Sequence, residues 1–195
     1  MESSTGISFA PGTKCVCLND EAGGLCGENL DRVSPKKMSS LPHRHIGAVI
    51  SVGPAGSIQY GTGTLISRNL VLTCAHVIYN RQHEAYYPRI LFYPALAGEM
   101  EIWHEVEEYE APERYGERQT MYDTRSYDYA LLKLKKPVSE EGFMELSDDP
   151  LEIAEDDTLS IYGYPVSKYE LEAGKPVGSK QYGLTRKGYI LDLII

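Results

Sequence analysis

A histidine and an aspartate carry the residue types needed for proton transfer, and each stands at one end of an apolar run. His76 closes the run LVLTCAH, and Asp128 opens the run DYALLKL, 52 positions further along the chain. A histidine can take and return a proton near neutral pH, while a neighbouring carboxylate can fix its tautomer and stabilise its charged form. Each residue alone has an ordinary interpretation, as a hydrogen-bonded core histidine and as a turn-capping aspartate. Their joint occurrence in this order is much rarer than either motif alone.

The elements that must position this pair are short β-prone runs separated by turn residues, which are typical of an all-β barrel or sandwich. Such runs predict about eight strands, with the sequences IGAVISV, SIQYGTGTLIS, LVLTCAH, YYPRILFYP, EIWHEVEEYEA, DYALLKLKKPV, LSIYGYP and KQYGLTRKGYILDLII. A single helical turn is expected over residues 74–80, after the third run. Hydrophobic residues make up 42% of the 195 positions, which is enough for a sizeable core.

The overall charge argues against two classes of partner. The formal net charge of -9 disfavours binding to phosphate backbones, which relies on clustered Lys and Arg, so we expect no nucleic acid partner. The apolar runs are far shorter than the roughly 18–20 residues of a membrane helix, so we expect no membrane partner. The N-terminal sequence MESSTGISFAPGTK lacks the basic start and apolar centre of a secretory signal, and the compartment stays undetermined.

Three of the four cysteines crowd the front of the chain. Cys15, Cys17 and Cys26 have the spacing C-x-C-x8-C, which differs from the paired C-x-x-C knuckles of zinc sites. We therefore expect free thiols or one local disulfide rather than a metal site. Cys74, inside an apolar run, is interpreted as a small buried hydrophobe.

The acidic stretch EVEEYEAPE, over residues 105–113, has two interpretations. Carboxylates are the ligands that calcium prefers, so the stretch could hold that ion. Alternation along a strand, however, would separate Glu105 and Glu107 from Glu108. We therefore expect a solvated strand face.

Several segments resemble those of a known family, the chymotrypsin-like or trypsin-like serine proteases. GTGTLIS, LVLTCAH and DYALLKL resemble the segments around the catalytic histidine and aspartate, while ENLDRV, LPHRHIGAVISV and LSIYGYP are similar to the glutamyl-endopeptidase branch. The resemblance spans about Glu28 to Pro165. It implies two β-barrels with the active site between them, His76 as general base, Asp128 as its orienting acid, and a protein or peptide substrate. It implies no metal or organic cofactor, and members of the family are often secreted.

The resemblance also implies a division of the chain. We expect an irregular N-terminal arm over residues 1–40, a first β-barrel over 41–138 that carries the histidine and the aspartate, and a linker with a partial second β-barrel over 139–195.

The nucleophile of the family is not found in this sequence. It follows the aspartate in a Gly-x-Ser-Gly turn whose backbone N–H groups also form the oxyanion hole. The serines after Asp128 are Ser139, Ser147, Ser160, Ser167 and Ser179. Only Ser179 follows a glycine, and Lys180 comes next. We therefore expect this chain to end before the nucleophile and to be inactive by itself, with the apolar C-terminal residues DLII forming an edge prone to pairing.

Three hypotheses follow from these observations. The chain is by family a serine endopeptidase whose nucleophile lies beyond the residues given, or it is a pseudo-protease that binds a peptide or protein without cutting it. The third hypothesis is a β-sandwich interaction domain in which His76 and Asp128 never meet.

Overall fold

The computed structural model describes residues 31–81, 83–94, 102–117, 126–138, 142–146, 158–164 and 182–187. Short helices are few and strands dominate. The α-helices are α1 Pro35–Met38, α2 Ala75–Ile78 and α3 Glu113–Gly116, and 3-10 turns span His43–His45 and Pro54–Gly56. The strands are β1 Asp31–Arg32, β2 Ile46–Val52, β3 Ile58–Leu65, β4 Leu70–Thr73, β5 Tyr79–Asn80, β6 Ala85–Tyr86, β7 Arg89–Pro94, β8 His104–Glu110, β9 Ala130–Leu134, β10 Thr158–Gly163 and β11 Tyr182–Lys187.

Six of these strands form a closed barrel in the order β2-β3-β4-β9-β8-β7, and every neighbouring pair is antiparallel. Each of the six lies in a run that the sequence predicts to be a strand. The hairpin of β2 and β3 pairs Ile46 with Thr64 and Val52 with Ile58. Because the barrel closes on itself, its strands present no unpaired edge.

Two clusters of buried side chains lie on opposite faces of β2, which explains why its sequence is apolar apart from Ser51. One cluster fills the barrel, with Val49, Val71, Phe92 and Leu132 among its fully buried members. The other cluster lies against the alternate residues of β2 and β7. Its members are Met38, Ile46, Ala48, Ile50, Leu91, Tyr93 and Tyr164. A strand buried on both faces is expected to show a continuous apolar run.

A smaller antiparallel sheet has the order β1-β11-β10. It combines one strand from the early part of the chain with two strands that follow the barrel in sequence. Its strand β1 and the helix α1 lie within residues 1–40, where we expected irregular structure. The pairing of Asp31 with Gly183 joins residues so distant in sequence that no local pattern reveals it. The predicted edge DLII lies outside the described residues, as do Cys15, Cys17 and Cys26.

The segment Gly163–Tyr164 connects this sheet to the barrel. The Tyr164 backbone N–H donates to Thr62 Oγ1 at 2.9 Å, and the Tyr164 hydroxyl donates to the Ile46 carbonyl at 3.3 Å. The end of β10 is therefore fixed against β2 and β3. No helix among the described residues has the length and apolar composition needed to cross a membrane.

The acidic strand β8 departs from simple alternation. Its register with β9 shifts between Val106 and Glu108. The regular alternation of side chains that the sequence predicted along this strand is therefore interrupted at Glu107. Glu108 pairs with Lys133 at 2.9 Å, and Glu105 lies 3.7 Å from Lys135. Lys133 in β9 and Lys135 just after β9 thus face these carboxylates, as expected of a solvated strand face.

Candidate active site

The helix α2 places His76 by burying the residues on either side of it. Strand β4 ends at Thr73, Cys74 precedes the helix in an extended conformation, and Ala75, Val77 and Ile78 are buried in the barrel core. His76 is the residue of this turn that stays partly exposed, with 23% of its side chain accessible. The apolar run that ends in a histidine is therefore a strand and a helical turn that anchor one polar side chain.

The glycine at position 61 lets this helix approach the sheet. A Cβ atom at Gly61 would lie 2.3 Å from Val77 Cγ2, closer than carbon atoms can approach. The structure therefore explains this glycine by close packing. Gly61 thus determines how near α2, and with it His76, lies to β3.

Asp128 reaches the same place through the pairing of β4 with β9. Thr73 of β4 pairs with Ala130 of β9, so the end of one strand adjoins the beginning of the other. His76 lies three positions after Thr73, and Asp128 lies two positions before Ala130. The strand register therefore brings together two residues that are 52 positions apart in sequence.

The two side chains meet through two hydrogen bonds. His76 Nδ1 lies 2.8 Å from Asp128 Oδ2, and the His76 backbone N–H donates to Asp128 Oδ1 at 2.9 Å. An ionised carboxylate only accepts, so Nδ1 carries the proton and Nε2 is left with a lone pair. The hypothesis in which His76 and Asp128 never meet is therefore wrong. What this geometry can do chemically is accept a proton at Nε2.

Cys74 is a neighbour of the pair whose place the sequence did not reveal. It is half-buried and packs against the core, in line with its interpretation as a small hydrophobe, but its sulfur also lies close to His76 and Asp128. Burial raises the pKa of the Cys74 thiol to about 12, and the negative charge of Asp128 adds to the rise. The thiol is thus protonated at neutral pH, and its position two residues before His76 was the only available signal.

Tyr115 of α3 belongs to the barrel core near the site. It is buried, and burial raises the pKa of its hydroxyl, with the charge of Asp128 acting in the same direction. The Arg81 guanidinium lies 4.9 Å from the centre of the Tyr115 ring and donates to the Tyr115 carbonyl at 3.1 Å. Because these contacts join three distant parts of the chain, no local sequence signal points to Tyr115.

The serines after Asp128 fall mostly outside the described residues. Ser160 is described and lies exposed on β10, while Ser139, Ser147, Ser167 and Ser179 are not among the described residues. The structure brings together the predicted base and acid, and it places no serine beside His76 within the part of the chain that it describes.

Solved structures share this fold. A Glu endopeptidase superposes with a TM-score of 0.65 and 22% sequence identity, over 83% of this chain and 68% of that chain. A thermostable serine protease, AL20 from an extremophilic microorganism, has a TM-score of 0.55 and 16% sequence identity, over 74% of this chain and 65% of that chain. The scabies mite inactivated protease paralogue S-D1 has a TM-score of 0.52 and 10% sequence identity, over 82% of this chain and 61% of that chain. These likenesses confirm the predicted all-β, chymotrypsin-like fold, with a closed first barrel and part of the second.

The chain spans 61–68% of the length of these three structures. A comparison with curated proteins finds no match. A family model described as a trypsin-like peptidase domain, by contrast, matches residues 61–193, which include both His76 and Asp128. Because this match covers well over half of the sequence, the chain belongs to the trypsin-like peptidase family.

Proposed function

We propose that this chain supplies the general base and the orienting acid of a serine endopeptidase that cuts proteins or peptides. The observation that carries the proposal is the pair of hydrogen bonds between His76 and Asp128. One joins Nδ1 to the carboxylate at 2.8 Å, and the other joins the backbone N–H to it at 2.9 Å. One carboxylate thereby fixes both the ring and the backbone of the histidine. The second ring nitrogen, Nε2, is then left to accept a proton.

The chemistry that this arrangement supports is acyl transfer to a serine. A serine hydroxyl is a weak nucleophile at neutral pH, so Nε2 of His76 takes its proton as the hydroxyl attacks the peptide carbonyl. The imidazolium that forms is stabilised by the charge of Asp128, and its proton then goes to the leaving amine. Water repeats the sequence to release the acyl group. No metal or organic cofactor takes part in these steps.

The proposal requires a nucleophile, and this requirement gives its first test. The full-length transcript should be sequenced across the codon for Ile195. We expect an open frame that continues into a Gly-x-Ser-Gly sequence. A stop codon directly after Ile195 would contradict the proposal and leave a base and an acid with no serine to activate.

A second test uses the protein encoded by that transcript and a fluorophosphonate probe, which labels activated serines. Labelling is expected in the natural protein and should be lost in His76→Ala. Asp128→Asn should slow it by about 10⁴-fold, as removing the orienting carboxylate does in a triad enzyme. Glu108→Gln, a change in an exposed carboxylate on β8, is the matched control and should leave labelling unchanged. Labelling that survives His76→Ala would exclude His76 as the base.

A pseudo-protease that binds a peptide or protein without cutting it is the second candidate. The specific observation in its favour is that no serine after Asp128 stands in a Gly-x-Ser-Gly sequence. One structural neighbour with this fold is itself described as an inactivated protease paralogue. This candidate predicts cooperative thermal unfolding of the 195-residue chain together with peptide capture and no turnover. Fluorophosphonate labelling of the 195-residue chain would exclude it.

A further inference from the structure

Three side chains of different metal-binding types converge beside α2. The Cys74 sulfur, one ring nitrogen of His76 and one carboxylate oxygen of Asp128 all lie within 4.8 Å of one another. Thiolate, imidazole and carboxylate are the three ligand types from which protein zinc sites are built. In the part of the chain that the structure describes, no other group of three such residues comes together.

The spacing of these atoms is close to that of a tetrahedral site. Bond lengths of about 2.0–2.3 Å place two ligands of a tetrahedral zinc ion about 3.5 Å apart. The widest separation would therefore need to close by about 1.3 Å, whereas His76 Nδ1 and Asp128 Oδ2, now 2.8 Å apart, would separate by about 0.7 Å if both bound the ion. Cys74 precedes α2 and Asp128 precedes β9, so the adjustment is made by their side chains, and the contact between Asp128 Oδ2 and His76 Nδ1 gives way to bonds with the ion.

Solvent can reach this cluster. His76 and Asp128 each have 23% of their side chain accessible, and Cys74 is half-buried rather than enclosed. An ion could therefore enter and keep a water molecule as its fourth ligand, without any opening of the barrel. Once the ion has displaced the proton of the Cys74 thiol, one thiolate and one carboxylate together neutralise a divalent cation.

We propose that Cys74, His76 and Asp128 form a reversible site for a thiol-seeking divalent cation of the Zn²⁺ type. On binding, the Cys74 thiol releases its proton to solvent and its sulfur bonds the ion. The ring nitrogen that binds the ion carries no proton, so if Nδ1 binds, its proton moves to Nε2 through solvent, and Asp128 binds as the carboxylate. The histidine is then a metal ligand and no longer a free base. This inhibitory consequence rests on the proposed function, whereas the binding of the ion does not.

The direct test is a titration of the reduced 195-residue chain with Co²⁺, which reports its ligands by absorption. A thiolate bound to cobalt gives a charge-transfer band in the near ultraviolet, and a tetrahedral site gives intense visible bands. We expect both, and we expect Zn²⁺ to displace the cobalt and abolish them. Cys74→Ser should remove the charge-transfer band. The triple variant Cys15→Ser, Cys17→Ser, Cys26→Ser should keep it, which separates this site from the other thiols.

The two other ligands are tested by affinity. His76→Gln and Asp128→Asn should each weaken cobalt binding by at least about tenfold, the lower end of the loss caused by residues that merely support a ligand. His104→Gln, which changes a histidine on β8, is the control and should bind as the natural chain does. A band that persists in Cys74→Ser, or unchanged affinity in both ligand variants, would overturn the proposal.

A second measurement needs no variant and covers the case in which Cys74→Ser fails to fold. Zn²⁺ should slow alkylation of Cys74 in the natural chain by at least about tenfold, as followed by mass spectrometry of the peptide that contains it. Equal alkylation with and without Zn²⁺ would mean that Cys74 only fills space. Cobalt binding without fluorophosphonate labelling of the longer protein would defeat the proposed function alone. Fluorophosphonate labelling of the longer protein, together with no cobalt bands in the 195-residue chain, would defeat the metal site alone.

Discussion

Two acid–base pairs with nearly equal distances between their charged atoms lie on the barrel, and they differ in exposure and in hydrogen bonding. His76 Nδ1 lies 2.8 Å from Asp128 Oδ2, and Lys133 Nζ lies 2.9 Å from Glu108 Oε1. Both side chains of the first pair are 23% exposed, whereas those of Lys133 and Glu108 are 41% and 65% exposed. Asp128 also accepts the backbone N–H of His76. Distance alone therefore does not distinguish the two pairs.

The difference shows that the barrel, rather than mutual attraction, positions the first pair. His76 is held by the buried neighbours Ala75 and Val77, and Asp128 lies two positions before the buried Ala130. The hydrogen bond to Glu108 raises the pKa of Lys133, but solvent screens an exposed pair so that it contributes little to folding. A pair that the fold holds in place is suited to proton transfer, while an exposed pair is suited to solubility.

Among the substitutions compared at neutral pH, the largest effect is expected from breaking the support beneath His76. In Gly61→Ala the new methyl group would lie 2.3 Å from Val77 Cγ2, so α2 must move away from β3. We expect a loss of about 2–3 kcal/mol in the free energy of unfolding, as found for overpacked cores. Urea unfolding followed by circular dichroism measures it.

The control for this change is Gly116→Ala on α3. Its new Cβ would lie 3.3 Å from the Tyr79 hydroxyl, a contact that a small shift of the tyrosine relieves. Its effect should be clearly smaller. Equal stability of Gly61→Ala and the natural chain would mean that Gly61 does not set the position of the helix.

Removing one acid from each pair tests the comparison directly. Asp128→Ala leaves the half-buried N–H and ring of His76 without their acceptor, and it should cost about 1–2 kcal/mol of unfolding free energy. Glu108→Ala removes a partner that solvent replaces, so its unfolding midpoint should match that of the natural chain. Thermal unfolding of the two variants side by side measures this difference. Equal destabilisation would remove the distinction between a held pair and a solvated pair.

The strands and the His76–Asp128 pair were predictable because their signals are local. Each barrel strand is a β-prone run bounded by turn residues, and each member of the pair stands at the end of such a run. The chain order of the two motifs, together with the family resemblance, was sufficient to predict their meeting. Strand pairing then supplied the contact, through Thr73 and Ala130.

The remaining features depend on contacts between distant parts of the chain. Strand β1 exists because Asp31 pairs with Gly183, and the shift in β8 is set by its partner β9. Gly61 faces Val77, and Tyr115 lies near Asp128, through packing that no periodicity encodes. The sequence places Cys74 two residues before His76, but this position alone does not show that its sulfur also lies beside Asp128.

The thiol next to the held pair should make stability depend on pH in the alkaline range. In the unfolded chain a cysteine loses its proton near its ordinary pKa of 9.0, whereas burial and Asp128 raise the pKa of Cys74 to about 12 in the fold. Between these values the unfolded state binds fewer protons, so stability falls as pH rises, by up to about 1.4 kcal/mol per pH unit. Below pH 9.0 the contribution of the buried thiol is fully present.

Cys74→Ala should therefore flatten the fall in stability between pH 9.0 and about 12. Urea midpoints at several pH values measure the slope. Cys17→Ala is the control for thiols in general and should keep the slope of the natural chain. Identical slopes in Cys74→Ala and Cys17→Ala would show that Cys74 titrates alike in both states.

The smallest effect compares two buried hydroxyl groups, one bonded and one not. Ser51 is fully buried on β2, and its Oγ has no hydrogen-bond partner among the described residues. Thr73 is also buried, but its Oγ1 donates to the Thr62 carbonyl at 2.8 Å. A buried polar group costs free energy when it is unpaired and stabilises modestly when it is paired. Ser51→Ala should therefore raise the free energy of unfolding by about 0.5–1 kcal/mol, and Thr73→Val should lower it by about 1 kcal/mol.

Urea unfolding should show changes of opposite sign in the free energy of unfolding of these two variants. Neutral polar groups would then follow the same rule as the two ion pairs. A polar side chain in this barrel stabilises the fold when the strand register gives it a partner, as it does for Thr73 and for Asp128. If Ser51→Ala were destabilising, its hydroxyl would have a partner after all. The destabilisation would then measure that bond in the same way as Thr73→Val measures the bond to Thr62.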